Sequence, residues 1–340
     1  MVRYASLLLI CSLLACRTST VTAPAKPFKI VFLSNREAPA GEFDIFLMNG
    51  DGSGQTNLTA NLAGVRTNSR PVLSPDQSAV LFLAFAEART FLQILTIATG
   101  TVATVTEVPA DLAEASFSPD GGKILFVMKI SQRRQVHTIN CDGTGLRNWS
   151  LENLDEFNPV FAADGETVCA VSRDAAGHHL VLISVRTGER HIIHTTTQTL
   201  RDPAFSPDGR AIVFCGGTNA NAGVQIVSRN GKNLHVVHSG AFYATHPRFS
   251  PDGARIAFIS NQRGMKYQDV FIMDRRGRQP ALLTAELKYI NQDIHFSPDG
   301  RALVFSSMKF NDSEICRIDL HDRSVVNLTN HPKWDQSPGI

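Results

Sequence analysis

The chain has 340 residues, 43% hydrophobic and 19% charged, with 33 basic against 31 acidic side chains. So even a balance supplies no basic face for nucleic acid and no case for electrostatic capture by anionic lipid. The length would allow two or three ordinary domains, a prior that an internal repeat overrides.

Residues 1–16 differ from the rest. Arg3 gives a thin positive start, and 5–14 is a mostly apolar run, too short to span a bilayer and suited to a signal-peptide core. The run ends in Leu13-Leu14-Ala15-Cys16, which resembles the lipobox of bacterial lipoproteins. That resemblance implies that residues 1–15 are removed and that Cys16 carries lipid on its thiol and its new amino group. Ordinary secretion with cleavage after Ala15 is the alternative. Arg17, where Asp would mark retention, resembles the outer-membrane sorting pattern, so the expected location is the cell envelope, facing the periplasm from the outer membrane. No other stretch reaches transmembrane length, which leaves a lipid at Cys16 as the expected anchor. Residues 16–27, small and polar with a Pro, read as a flexible tether.

From residue 28 to 340 one unit recurs. Ser74-Pro75-Asp76, Ser118-Pro119-Asp120-Gly121, Ser206-Pro207-Asp208-Gly209, Ser250-Pro251-Asp252-Gly253 and Ser297-Pro298-Asp299-Gly300 are plain copies of one turn, and Ala162-Ala163-Asp164-Gly165 is a degraded sixth. The Pro-equivalent positions are spaced by 44, 44, 44, 44 and 47 residues. Pro presets φ, Asp can bond its own backbone two residues on, and Gly tolerates a positive φ, so the motif is a tight turn. An apolar pair often precedes it (strand a) and a β-rich run follows it (strand b), as at 79–84, 124–128, 167–171, 211–215, 256–259 and 302–305. Strand-c runs such as 92–97 and 224–227 mostly end in Gly- or Asp-bearing turns, among them Gly50-Asp51-Gly52-Ser53-Gly54 and Asp142-Gly143-Thr144-Gly145. A short strand d closes the unit, as in Asn57-Leu58-Thr59 and Asn327-Leu328-Thr329. Four short antiparallel strands in about 44 residues make one blade of a β-propeller.

The first unit begins at strand b, Phe28-Lys29-Ile30-Val31-Phe32, and the chain ends in Asp335-Gln336-Ser337-Pro338-Gly339-Ile340, a lead-in to strand a. The two ends are therefore expected to share one blade and close the ring, which removes the open sheet edges of a linear array. Counting strand-b runs predicts an all-β fold of seven four-stranded blades, with six as the alternative.

These repeats resemble those of the TolB-type propeller. The resemblance rests on the Ser-Pro-Asp-Gly turn, the Ser34-Asn35-Arg36 and Ser260-Asn261-Gln262-Arg263 ends of strand b, the Asp-Ile-Phe-like strand c and the Asn-Leu-Thr close. The architecture is similar to that of WD repeats without their Trp-Asp signature. The family's namesake carries an α/β domain before its propeller, usually of six blades. Here strand b begins twelve residues after Cys16, so a stand-alone relative is expected, with no automatic role in the Tol–Pal system.

One ring of equivalent positions, at the head of strand a, is polar throughout: Arg70, Glu114, Asn158, Asp202, His246, Asp293 and Ser337. Innermost strands border the propeller axis, so this ring is expected to line a channel mouth. It reads either as a cup for a ligand, an ion or a partner's segment, or as residues that need only tolerate channel water. His246, His295 and Gln292 with Asp202 and Asp293 could hold a divalent ion, as His and Gln do in some propeller lyases, but few ligands converge. No G-x-S-x-G elbow, phosphate-binding loop or dinucleotide fingerprint is present. The Asn-x-Ser/Thr triplets at Asn57, Asn148, Asn311 and Asn327 read as strand-d and turn residues. Of six cysteines, Cys11 and Cys16 belong to the leader. Cys141, Cys169, Cys215 and Cys316 lie far apart without metal-ligand spacing, as small and partly buried apolar residues.

No catalytic constellation, cofactor site or metal site is assigned. The expected function is a lipid-anchored scaffold binding a protein partner or small ligand at the channel mouth, with a metal-assisted polysaccharide lyase or hydrolase as the alternative. Replacing Cys16 with Ser is expected to release the protein from membranes on fractionation; continued membrane association of Cys16→Ser would contradict the lipobox reading.

Overall fold

Strand b is the most apolar segment of each repeat because neighbouring blades cover both of its faces. In the computed structural model, which describes residues 27–340 apart from 40–41, 63–66, 68, 87–88, 109–110, 219–220, 241, 265, 288–289 and 310–311, the b strands are Lys29–Ser34, Ala79–Ala86, Lys123–Ile130, Thr167–Arg173, Ala211–Gly217, Arg255–Ser260 and Ala302–Lys309. Cys16, the leader, nearly all of the tether and Asn311 lie outside the described residues. Side chains alternate along each strand, so Val80 and Phe82 enter the core toward the first blade while Leu81 and Leu83 enter the core toward the third. Each of seven hydrophobic clusters lies between two adjacent blades. At the middle of strand b, six of the blades place a fully buried ring: Phe32, Phe82, Phe126, Phe214, Phe258 and Phe305. Blade 4 has Ala170 there, also fully buried.

The sheets number seven, each of four antiparallel strands, which settles the blade count. Closure occurs as the sequence predicts. Asp335–Gly339 pairs antiparallel with Lys29–Ser34, matching Val31 with Gly339 and Ser34 with Asp335. Asn35 and Trp334 fasten the seam reciprocally: the Asn35 N–H donates to the Trp334 carbonyl at 3.1 Å, and the Trp334 N–H donates to Asn35 Oδ1 at 2.9 Å. Arg36 reaches across to the buried Asp335 carboxylate at 2.6 Å while its guanidinium lies over Phe46.

The a–b turn is a small machine of side-chain hydrogen bonds. The Ser hydroxyl donates to the Asp carboxylate two residues on at 2.5–2.7 Å in all five plain copies. The same hydroxyl accepts the N–H that opens strand b, from Ala79, Lys123, Ala211, Arg255 and Ala302. In the degraded copy Ala162 has no hydroxyl, and Asp164 takes over, accepting the N–H groups of Glu166 and Thr167 at 2.9 and 2.8 Å. The turn survives the loss of Ser because one acceptor oxygen replaces another.

The Asn-x-Ser/Thr triplets are structural. Asn57, Asn148 and Asn327 each accept the N–H two residues on, and the hydroxyl at that position caps strand c by accepting the N–H of Ile45, Val136 or Ile315. Between strands c and d the turn glycines meet the preceding blade. A Cβ on Gly277 (φ +77°) would stand 2.2 Å from the Val237 carbonyl oxygen, and one on Gly143 (φ +85°) 2.6 Å from that of Val105. No disulfide joins the four cysteines of the propeller, and burial pushes the Cys169 thiol up to about 12.

Truncating Phe126 to Ala should cost about 3–5 kcal/mol in urea unfolding, and Ser206→Ala about 1–3 kcal/mol because it strands a buried N–H; a cost below about 1 kcal/mol for Phe126→Ala would contradict the inter-blade core. The Ser74 hydroxyl and the Ser78 N–H hold the Asp76 carboxyl down at about 2. A depressed folded-state pKa adds stability that is present above the unfolded value near 3.9 and is lost as pH falls through about 2. The acid limb of the stability curve should therefore be shallower in Asp76→Asn than in the parent between about pH 4 and 2, and identical limbs would contradict the hydrogen bonds.

Candidate functional site

The inner strands, Leu112–Phe117, Asp155–Phe161, Thr199–Phe205, Ala244–Phe249, Ile290–Phe296 and Asp335–Gly339, surround the axis, with the short Val72–Leu73 completing the circle. The sequence places the polar ring at the head of strand a; in six blades the structure corrects this, setting the ring residue inside the strand at a β-bulge. Pairing with strand b is interrupted at Ala113/Ser116, Phe157/Val160, Arg201/Ala204, Thr245/Arg248 and Gln292/His295, and again beside Ser337. Glu114, Asn158, Asp202, His246, Asp293 and Ser337 all have positive φ, between 49° and 56°. Asn, Asp and His are the non-glycine residues that tolerate this region best. The following Pro159, Pro203, Pro247 and Pro338 sit at the second bulge position, where no ladder N–H is required.

At three of the bulges the ring residue's N–H turns sideways, toward the preceding blade. Asn158 N–H donates to Glu114 Oε2 at 2.5 Å, Asp202 N–H to Asn158 Oδ1 at 3.2 Å, and His246 N–H to Asp202 Oδ2 at 3.0 Å. Three consecutive steps of 44 residues thus link four blades through ring side chains. A left-handed non-glycine residue costs about 1–2 kcal/mol, and a hydrogen bond to a charged acceptor, as at Glu114 and Asp202, contributes about 1.5–3 kcal/mol, so those clamps offset the strain. Acceptor side chains are therefore needed for structural reasons at Glu114, Asn158 and Asp202, which accounts for the polarity of those three positions.

The chain of clamps stops at His246, whose Nδ1 is buried with no hydrogen-bond partner. Beyond it the ring continues as a long ion pair, Arg70 Nη1 to Asp293 Oδ1 at 4.0 Å. Arg70, Glu114, Asn158, Asp202, His246 and Asp293 line one cavity of about 540 Å³, together with Phe85, Leu112 and Arg248. Ser337 has the same bulge geometry but is not part of the lining. Arg248 and His295, two positions beyond the ring on their strands, form a second tier that sequence reasoning passed over for Arg248. Desolvation pushes the Arg248 guanidinium down to about 10, helped by Arg70 and opposed by Asp202 and Asp293, so it remains cationic at neutral pH. Desolvation, reinforced by Arg248, Arg70 and His246, pushes the His295 imidazole well below its ordinary value. Loss of hydration likewise raises the Glu114 carboxyl, although the Asn158 N–H stabilises its charged form.

The residues suggested as metal ligands divide. Asp202, His246 and Asp293 share the cavity, whereas His295 lies outside the lining and Gln292 is exposed and outside it. Among the described residues no three His, Cys, Asp or Glu side chains come close enough together to hold a metal ion. The groups acting on His295 are the Arg248 and Arg70 guanidiniums and the His246 imidazole, which disfavours a cation nearby.

Asp202→Asn keeps an acceptor and a residue tolerant of positive φ, and should change stability by less than about 1 kcal/mol; Asp202→Val loses both and should cost about 2–4 kcal/mol. Equal effects in thermal unfolding would contradict the clamp.

Comparison with known proteins agrees with this geometry. A curated TolB homolog from Chlorobium luteolum is 24% identical over 160 residues, spanning 47% of this chain but only 35% of the relative. Among solved structures, an oligogalacturonate lyase in complex with manganese aligns at a TM-score of 0.69 with 15% identity, over 92% of this chain and 87% of that one. TolB from Acinetobacter baumannii aligns at 0.57 with 16% identity, over 88% and 78%. At such identities the two structures share the fold. The family model described as the TolB beta propeller domain matches residues 42–245, and with that match over more than half its length the chain belongs to the TolB β-propeller family.

Proposed function

We propose that this protein is an exported binding scaffold of the bacterial cell envelope, held at the membrane by lipid on Cys16, that receives a protein partner's segment or a small ligand on the ring side of its channel. The carrying observation is that six of the seven ring residues line one cavity, within the size range of small-molecule sites. Membership of the TolB propeller family supports a binding role. A rigid ring of clamped bulges is a suitable support, since it holds the recognition groups on regular strands.

A second reading, a metal-assisted polysaccharide lyase, is favoured by the fold shared with the manganese-bound oligogalacturonate lyase. It would require Asp202, His246 and Asp293 to gather around an ion although they lie on three different blades.

A photo-reactive residue placed at Ser116, in the cavity lining, should capture a partner or ligand in intact cells, while one at Ile192, 63% exposed on an outer strand, should not. Capture confined to Ile192 would contradict the channel as the binding surface. Elemental analysis separates the second reading: a stoichiometric divalent ion lost on Asp202→Ala, His246→Ala and Asp293→Ala together would replace the scaffold by the lyase.

A further inference from the structure

The near balance of 33 basic and 31 acidic residues hides a local excess. Because the strands of each blade alternate in direction, the a–b and c–d turns emerge on one face of the ring. In blades 5 and 6 those turns carry Arg210, Arg229, Lys232, Arg275, Arg276 and Arg278 against Asp208, Asp252 and Asp274. In each of the other blades, acids equal or outnumber cations in the same turns. The excess belongs to one sector.

Part of it is paired within the chain: Arg229 meets Asp164 at 3.0 Å, and Arg278 meets Asp274 at 2.7 Å. Arg210, Lys232, Arg275 and Arg276 are exposed and form no ion pair among the described residues. Asp208 is the acid beside them. The Ser206 hydroxyl first, then the Arg210 N–H and the charges of Arg275 and Arg210, hold its carboxyl below the ordinary value. Two guanidiniums thus share one surface carboxylate. Arg275 and Arg276 line a groove with Asn233 and His235, whose chain neighbours Leu234 and Val236 are 43% and 55% exposed. Cations set among exposed aliphatic side chains suit an anionic, partly apolar surface.

The entry of the chain says which surface that is. The Lys29 N–H donates at 3.1 Å to Gln77 Oε1, in the a–b turn of blade 2. The Phe28 carbonyl accepts at 2.8 Å the N–H of Gly50, in the c–d turn of blade 1. Strand b of blade 1 therefore starts on the face that carries the basic sector. Phe28 stands twelve residues after Cys16, and a chain of that length spans about 40 Å at most. A lipid at Cys16 would accordingly hold the propeller by this face.

Resting on the lipid-anchor reading of the function, we propose that Arg210, Lys232, Arg275 and Arg276 dock the propeller on anionic phospholipid headgroups of the membrane that holds the anchor. The guanidiniums take phosphate oxygens through paired hydrogen bonds, Lys232 adds a point charge, and Leu234 and Val236 meet the interface. The heads of the inner strands, where Ser69, Arg70 and Leu112 line the cavity, lie on the opposite face and stay open to a partner.

Co-sedimentation of the full chain bearing Cys16→Ser with vesicles tests this, with phosphatidylglycerol mixed into phosphatidylcholine against phosphatidylcholine alone. The expected result is a preference for the anionic vesicles at about 0.05 M salt, lost by about 1 M, where charges are screened beyond about 3 Å. Arg210→Gln, Arg275→Gln and Arg276→Gln together should weaken that binding about tenfold or more, while Lys123→Gln, Arg186→Gln and Arg323→Gln together should leave it within about twofold. All six side chains are exposed, so neither triple disturbs the core. Equal binding to both vesicles, or equal weakening by the two triples, would overturn the proposal. Binding of polyglutamate without a preference between vesicles would overturn it too, and would give the sector to an acidic protein. Fractionation of cells carrying Cys16→Ser in about 1 M salt separates the two levels. Release without a vesicle preference leaves the anchor and removes the docking face; retention at that salt fails the anchor itself.

Discussion

A hydrogen bond repeated at three successive steps of 44 residues ties four of the seven blades around the axis: the N–H of a left-handed ring residue donates to the ring side chain of the blade before it. Seen from Asp202, the backbone is held by Asn158 and the carboxylate in turn holds His246. Without the bulge the N–H would point into its own sheet, and without an acceptor side chain the strain of a positive φ would stand uncompensated. In those four blades, registry around the axis and polarity of the channel are thus two consequences of one constraint.

Outside the channel, cohesion comes from a different source. The inter-blade clusters bury both faces of every strand b, so each blade depends on two neighbours for its core. The Asp335–Gly339 strand completes the first blade, and Arg36 with Asn35 secures it on the polar side. Turn chemistry is interchangeable at the level of acceptor oxygens, as Asp164 shows by covering for a missing hydroxyl. Among the a–b turns of this chain, hydrogen-bonding capacity at a set position is kept where residue identity is not.

Much of this was legible in the sequence because it is periodic. The Ser-Pro-Asp-Gly spacing gave the blade length, the run beginning at Phe28 and the Asp335 lead-in gave the shared blade, and equivalence across repeats found the ring. What periodicity could not give was backbone conformation. Strand a reads as starting at Pro because Asn158-Pro159, Asp202-Pro203 and His246-Pro247 resemble turn dipeptides, whereas each is a bulge within a longer strand. A residue tolerant of positive φ followed by a residue lacking an N–H, recurring at the same place, was the available signal. Arg248 escaped notice for a different reason: its place in the cavity is a property of three-dimensional surroundings, and a lone Arg beside apolar equivalents looks like a surface variation. Where the ring departs from the acceptor pattern, from His246 through Asp293 to Arg70, the clamps end and polar groups are left without partners. The clamps therefore occupy one sector of the ring and lapse in the other.

Amide hydrogen exchange tests the central constraint most directly. If ring side chains hold the bulge amides, the Asn158, Asp202 and His246 N–H groups will exchange as slowly as the fully buried strand-b amide of Phe214, despite lining an open cavity. Exchange of those three at the rate of the exposed c–d turns would contradict the account.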